Sequence, residues 1–235
     1  MSRRVWLVPV GLIAIVAALL ATLVLANNLT TVHGSTFTLP VPPVPAGKHV
    51  IYLIAENAVA QDSLIAPTRI EATLRAQIAN TWEELVAINQ STPADAIIIH
   101  NSALPFVDRS WISSAYWRGV VIGGINITGP QMADLVGNSC IARDGFAADA
   151  SIPFFVIVST YIQGSSQDDI NKVLDAYNRS CGEQTTDEVG AFVSFSGSRT
   201  TDILIDANSF NTFVFQLVSH LQDIDLARQS GSDSP

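Results

Sequence analysis

The segment "ADAIIIHNSALP", residues 94–105, decides the fold class of this sequence. Three isoleucines run directly into His100, Asn101 and Ser102, and Pro105 follows. A continuous apolar run that ends in polar residues is typical of a parallel strand covered on both faces. In open α/β sheets, ligands bind outside the carboxyl ends of the strands. His100 is therefore either a functional group at that edge or only the residue at which the strand ends.

Segments with the composition of buried strands alternate along the chain with segments of helical periodicity. The predicted strands are 49–55, 96–100, 119–125, 152–159 and 191–195, and the predicted helices are about 68–90, 109–117, 129–136, 167–179 and 209–224. This alternation predicts an α/β three-layer sandwich with a mostly parallel sheet of about five strands. Residues 201–206 can add an antiparallel strand, paired with 191–195 through a turn at Gly197-Ser198.

Three of the predicted helices begin with capping signals. Thr68 and Glu71 form a T-x-x-E capping box, and Asp108 precedes the helix predicted from 109. Thr128 precedes a helix whose first turn contains Pro130, where the missing N–H is harmless. These signals predict where the helices start.

Residues 5–26 form an uncharged apolar run of 22 residues. As a helix the run is about 33 Å long, enough to cross the hydrocarbon core of a bilayer. Arg3 and Arg4 precede it, and no charge follows until Lys48. This asymmetry predicts a single-pass cell-membrane anchor with a cytoplasmic N-terminus and an extracytoplasmic C-terminal domain. The alternative is a signal peptide cleaved after Val24-x-Ala26, although the run is longer than usual signal cores.

The predicted organisation has four parts. They are a cytoplasmic stub with a transmembrane anchor (1–26), a Pro-rich extracytoplasmic spacer (27–48), the α/β domain (49–227) and a disordered tail (228–235). The spacer contains four prolines between residues 40 and 45, which favours an extended, polyproline-like chain.

The charge of the exported part bears on its partners. It carries 10 basic and 21 acidic residues, a net charge of −11. Such a balance opposes binding to nucleic acid or to anionic lipid head groups. The predicted partners are the lipid bilayer, through residues 5–26, and other membrane or envelope proteins.

The chain has two cysteines, Cys140 and Cys181. Outside the cytoplasm, two cysteines most simply form one disulfide, and the loop closed here would contribute roughly 4 kcal/mol. Free buried thiols are the alternative. The four histidines are scattered, so no metal site is predicted.

Polar residues at the predicted strand ends are the candidates for a ligand-binding rim. They are Glu56, Asn57, His100, Asn101, Ser102, Asn126, Ser159, Thr160 and Arg199. Known catalytic motifs are missing from the sequence, including the G-x-S-x-G elbow and the H-E-x-x-H zinc motif. The glycines at 119, 123, 124 and 129 do not have the G-x-G-x-x-G spacing of dinucleotide-binding folds. No cofactor and no catalytic residue is predicted.

Two segments, "HVIYLIAE" and "ADAIIIHNSALPFVDRSWISSAYWRGVVIGGINI", resemble class I glutamine-amidotransferase-like domains over about residues 49–137. The shared pattern is a strand, a helix, a "DAIII" strand with a polar end, a short helix and a G-x-V-I-x-G strand. Active members of that family carry a nucleophilic cysteine on the tight turn after the third of these strands. Here the turn reads Gly124-Ile125-Asn126-Ile127-Thr128 and has no cysteine. The resemblance therefore implies a degenerate, flavodoxin-like member with a binding or scaffolding role.

These observations together predict a membrane-anchored extracytoplasmic α/β domain that acts as a non-catalytic accessory or interaction subunit of a membrane or envelope complex. One alternative is an envelope hydrolase or transferase that uses strand-end residues near His100. Another is a sensor domain that binds a small ligand at the same rim. We expect His100 to end its strand, and Asn101 and Ser102 to serve as capping and turn residues.

Overall fold

A computed structural model describes residues 41–58, 65–142, 154–163, 194–204 and 206–232. In chain order its strands and α-helices are β1 (Val50–Leu53), α1 (Pro67–Leu74), β2 (Gln77–Ala79), α2 (Trp82–Ser91), β3 (Ala96–His100), α3 (Arg109–Trp117), β4 (Val121–Ile125), α4 (Gly129–Val136), β5 (Phe154–Gln163), β6 (Ser194–Ile203) and α5 (Ala207–Ser232). Short 3₁₀ helices occupy Glu56–Ala58, Asn101–Phe106 and Ser139–Ala142.

The strands form one six-stranded sheet in the order β2-β1-β3-β4-β5-β6. The first four strands of this order are parallel, and β5 and β6 are antiparallel to their neighbours. The predicted α/β class with a mostly parallel sheet is confirmed. The orientation of β5, which was expected to continue the parallel series, differs from the prediction.

The predicted helix over 68–90 is divided in two by a strand. Helix α1 ends at Leu74 and is followed by Arg75, whose backbone is left-handed (φ 54°), and β2 then pairs with β1 before α2 begins. The Thr68–Glu71 capping box is also wrong, because the helix starts one residue earlier. Pro67 is its first residue, and Ala66 provides no side-chain cap.

Strand β6 replaces the hairpin predicted around Gly197-Ser198. It pairs with β5 along its whole length, so Ser159 lies opposite Ser198 and Thr160 lies opposite Gly197. The two predicted segments 191–195 and 201–206 therefore contribute to one continuous strand. The helix predicted over 167–179 lies outside the described residues.

Helices cover both faces of the sheet, as the three-layer prediction requires. On one face, Ile51, Leu53, Ile97 and Ile99 pack in a core with residues of α2, α3 and α4. On the opposite face, alternate strand residues pack against α1 and α5. Buried residues thus occupy both sides of the central strands, which explains why those strands are continuous apolar runs.

Helix α5 supplies most of one covering layer. Its predicted apolar stripe is confirmed, since seven large side chains are buried against the sheet: Phe210, Phe213, Val214, Leu217, Val218, Leu221 and Ile224. The helix continues to Ser232, into the predicted tail. At 26 residues it is about 39 Å long, which matches the long β5–β6 pair beneath it.

Contacts of Arg228 hold the last part of α5, beyond the helix end predicted near residue 224, against the domain. The Arg228 guanidinium lies 5.8 Å from the centre of the Tyr161 ring, and one of its nitrogens is 3.5 Å from the Gly119 carbonyl oxygen. Tyr161 belongs to the part of β5 that extends past the start of β4.

Two of the predicted caps are confirmed. The Asp108 side chain accepts a hydrogen bond from the Trp111 N–H at the start of α3. Thr128 and Gln131 form a full capping box at the start of α4. Both helices begin and end at the predicted residues.

The last residues of the predicted spacer pack against the domain. Val44 is buried in the core between the sheet and helices α1 and α5. Lys48 forms ion pairs with Asp95 and Asp225. The predicted anchor, residues 5–26, lies outside the described residues. In the part of the chain that is described, no helix is both long enough and apolar enough to cross a membrane.

Candidate functional site

The carboxyl ends of β1, β3 and β4 meet at one edge of the sheet, because these strands are parallel. This edge brings together the residues that follow each strand. They are the 3₁₀ helix from Glu56, the His100–Ser102 segment and Asn126. The structure thus places these three groups together at this edge, and their binding of a ligand stays a prediction.

His100 is buried, with 7% of its surface exposed. Its Nδ1 atom accepts a hydrogen bond from the Ser102 backbone N–H at 3.2 Å and lies 2.8 Å from the Ser102 Oγ. A backbone N–H can only donate, so Nδ1 acts as an acceptor, and the Ser102 hydroxyl hydrogen can point toward it. His100 thus caps the 3₁₀ helix Asn101–Phe106 with its own ring.

Ser102 also reaches across to the neighbouring strand. Its Oγ accepts a hydrogen bond from the Ala55 N–H at 3.2 Å, just beyond the end of β1. The Ser102 hydroxyl therefore satisfies the backbone N–H that follows β1 and also contacts the His100 ring at the end of β3. We expected Ser102 to serve as a capping or turn residue. The Ser102 hydroxyl does accept a hydrogen bond from a backbone N–H, but that N–H belongs to Ala55 after β1. The cap of the 3₁₀ helix Asn101–Phe106 is provided by the His100 ring.

Asn126 joins the end of β4 to the start of β5. Its backbone is left-handed (φ 57°), a conformation that asparagine tolerates better than most residues. The Asn126 N–H donates to the Phe154 carbonyl at 2.9 Å, and the Phe154 N–H donates to Asn126 Oδ1 at 3.1 Å. These two hydrogen bonds fix β5 beside β4 in the antiparallel direction.

The remaining candidates at this edge face solvent or are described by backbone alone. Glu56 and Asn101 are exposed. Asn57 lies in the 3₁₀ helix that follows β1.

Ser159, Thr160 and Arg199 do not lie at this edge, so their assignment to the rim is wrong. Since β5 is antiparallel to β4, its start lies beside the end of β4, and Val158 pairs with Ile122 near the start of β4. Arg199 pairs with Val158. These three residues therefore occupy the opposite half of the sheet.

A second serine–histidine pair, which sequence reasoning missed, joins α5 to β5. The Ser159 Oγ lies 2.7 Å from His220 Nδ1, and both residues are almost completely buried. Burial lowers the pKa of His220 to about 4, although the nearby Asp223 acts in the opposite direction. The sequence signal for the burial of His220 is its helical spacing: it follows Phe213 and Leu217 by seven and three residues along the buried stripe of α5.

A cluster of charges holds the end of α5 near the start of β1. The Lys48 Nζ lies 3.1 Å from Asp95 and 2.6 Å from Asp225, and Arg228 lies about 4 Å from the same two carboxylates. Burial alone would lower the pKa of Lys48, but its hydrogen bonds to Asp225 and Asp95 raise the pKa above its usual value. The cluster is paired internally and lies away from the carboxyl edge.

Cys140 lies in the 3₁₀ helix after α4. Its predicted partner, Cys181, lies outside the described residues, so their disulfide stays a prediction. Within the described ranges, no group of three or more His, Cys, Asp or Glu side chains is placed to hold a metal ion.

Comparisons with protein-family models, with curated proteins and with solved structures gave no match to this chain.

Proposed function

We propose that this protein is a membrane-anchored, extracytoplasmic α/β domain that acts as a non-catalytic accessory or interaction subunit of a membrane or envelope complex. The membrane part of the proposal is supported by the uncharged run 5–26 and its preceding arginines. The absence of an enzymatic role is supported by the hydrogen bonds at the carboxyl edge.

The observation that carries the proposal is the engagement of the Ser102 hydroxyl. This oxygen accepts from the Ala55 N–H while it contacts His100 Nδ1. A catalytic serine must present its oxygen to a substrate, with a histidine positioned to take up its proton. Here the Ser102 oxygen accepts from the backbone N–H of Ala55, and the His100 nitrogen accepts from the backbone N–H of Ser102. Both atoms therefore stabilise the chain at the ends of β1 and β3.

The turn after β4 supports the same proposal. The resemblance to glutamine-amidotransferase-like domains would place a nucleophile on this turn. Asn126 occupies it, and both its backbone N–H and its side chain bind Phe154. The position therefore serves to attach β5. This structural use of the turn supports the non-catalytic role.

Extraction in mild detergent tests the proposal. The full-length protein, tagged after residue 235, is solubilised from membranes and purified, and its companions are quantified by mass. We expect at least one membrane or envelope protein in fixed stoichiometry. A lone protein, or one that carries only a bound metabolite, would contradict the interaction role and favour the sensor hypothesis.

Topology is tested separately. Protease added to intact cells or spheroplasts should cut within residues 27–40 and release a soluble domain. Release without protease, with a new N-terminus near Asn27, would show that residues 5–26 are a cleaved signal.

A second candidate function is an envelope hydrolase or transferase. The 2.8 Å contact between His100 and Ser102 favours it, since a hydroxyl beside an imidazole is the starting arrangement for nucleophilic catalysis. The two residues are only two positions apart, and the contact uses the nitrogen that also caps the 3₁₀ helix. This local geometry favours the structural role.

A further inference from the structure

Three aromatic residues lie in the segments that follow β2 and β3, at the carboxyl edge. They are Trp82, Trp111 and Phe106, and we call them the aromatic edge. Trp82 is the first residue of α2 and Trp111 lies in the first turn of α3. Both helices begin where β2 and β3 have ended, so both tryptophans lie at the same edge as His100.

The two tryptophans form one unit. Their ring centres are 5.4 Å apart with an interplanar angle of 85°, an edge-to-face contact. Both are half-buried and pack against the core between the sheet and helices α2, α3 and α4. Phe106, at the end of the 3₁₀ helix that precedes α3, is 37% exposed. Rigid aromatic side chains held in this way are typical of the central residues of protein interfaces.

Carboxylates flank the residues of the aromatic edge along the chain. Glu83 and Glu84 follow Trp82 and are exposed, and Asp108 lies between Phe106 and Trp111. Hydrogen bonds from Ser110 and Trp111 lower the pKa of Asp108, so it stays ionised at neutral pH. Arg109, the cation next to it in the chain, is paired with Asp134. The local charge is therefore negative.

We infer that the aromatic edge is a docking surface for a partner protein segment that presents lysine or arginine side chains among apolar ones. The aromatic rings would accept the cations and the apolar side chains, and the carboxylates of Glu83 and Asp108 would complement the positive charge. This inference rests on the proposed interaction role and names the surface and the partner chemistry.

The test uses two peptides of the same length as probes, one of repeated Gly-Leu-Arg and the other of repeated Gly-Leu-Glu. The full-length protein in detergent is titrated with each, and binding is followed by tryptophan emission. We expect the arginine peptide to bind at least about tenfold more tightly than the glutamate peptide. The same preference in all variants would indicate only a diffuse attraction to an acidic protein and would overturn the inference.

Two variants locate the binding. Phe106→Ser combined with Glu83→Lys changes exposed side chains only, and should weaken the arginine peptide by about tenfold or more. Phe215→Ser combined with Glu71→Lys is the matched control, because it makes the same changes of aromatic side chain and charge at exposed residues of α5 and α1, on the other face of the sheet. Equal loss in both variants, or loss in neither, would contradict the aromatic edge as the docking surface.

The same variants, extracted in mild detergent, separate this inference from the proposed function. If a stoichiometric partner is retained by the Phe106/Glu83 variant, the interaction role stands and the aromatic edge is not the surface. If no partner is found with the wild type, but the peptide binds at the aromatic edge, the accessory role fails and the surface remains. Loss of the partner from this variant alone supports both.

Discussion

The Ser102 Oγ accepts a hydrogen bond from the Ala55 N–H at 3.2 Å and thereby joins the exits of two adjacent parallel strands. The same oxygen lies 2.8 Å from the Nδ1 of His100, the last residue of β3. Ser102, which the sequence placed among the rim candidates but predicted to be a capping or turn residue, thus closes the end of the sheet.

Ser102→Ala should destabilise the protein. The substitution leaves the Ala55 N–H without its partner and removes the hydroxyl beside a buried imidazole, which should lower the free energy of unfolding by about 1–3 kcal/mol. Denaturant unfolding of the full-length protein measures the change. Ser114→Ala is the control, because Ser114 is exposed on α3, and its effect should stay within about 0.5 kcal/mol. Equal effects of the two substitutions would refute the structural role of Ser102.

Two neighbouring glycines of β4 should respond differently to alanine. A Cβ at Gly124 would lie 2.6 Å from the Met132 Cε and 3.0 Å from the Ile127 Cβ. At Gly123 the nearest atom, in Ile98, would be 3.5 Å away, an ordinary contact. Gly124→Ala should therefore cost about 1–3 kcal/mol through overpacking, and Gly123→Ala should cost clearly less. Thermal unfolding of the two variants in parallel decides between them, and the reverse order would be incompatible with this packing of α4.

Stability should fall in mild acid because His220 is buried in its neutral form. Its pKa is about 4 in the folded protein and 6.5 in the unfolded chain, so the unfolded chain takes up the proton first as the pH falls. The free energy of unfolding should be highest above pH 6.5 and should decrease, by up to about 3 kcal/mol, as the pH approaches 4. Denaturant melts across this range measure the slope.

The control for this pH dependence is His220→Gln, which removes the titrating group. Its stability should depend less on pH between 6.5 and 4 than that of the wild type, even if it is less stable throughout. A wild-type profile that is flat in this window, or a variant with the same slope, would show that His220 is not buried as described.

The sequence predicted the parts of the fold that depend on local patterns. The caps at Asp108 and Thr128 depend on residues three positions apart, and α3 and α4 have the predicted bounds. The buried strands β1, β3 and β4 were recognisable because both of their faces are covered, which makes them continuously apolar.

The direction of β5 could not be predicted in the same way. Its composition is that of any buried strand, whereas its antiparallel direction depends on the contact of Asn126 with Phe154, 28 residues away. Because β5 is antiparallel to β4, Ser159, Thr160 and Arg199 lie in the other half of the sheet and not at the predicted rim. Strand β2 was missed because it has only three residues, between two helices whose apolar spacing is nearly continuous.

The cysteines give a prediction that depends on chemistry alone. If Cys140 and Cys181 form a disulfide, alkylation of the non-reduced, freshly extracted protein should modify neither, as intact mass will show. Cys140→Ser and Cys181→Ser should each lower stability by a few kcal/mol. Two alkylated cysteines in the native chain would refute the disulfide.

The most direct test of the central claim is the turnover of wild-type protein and a folded His100→Ala variant against a panel of ester, amide and phosphoester substrates. If the His100–Ser102 pair only holds the strand ends, neither protein should turn over any substrate, and the variant should differ in thermal stability or partner retention alone. Measurable wild-type turnover that falls at least about a hundredfold in the folded variant, the size of a general-base effect, would contradict the account.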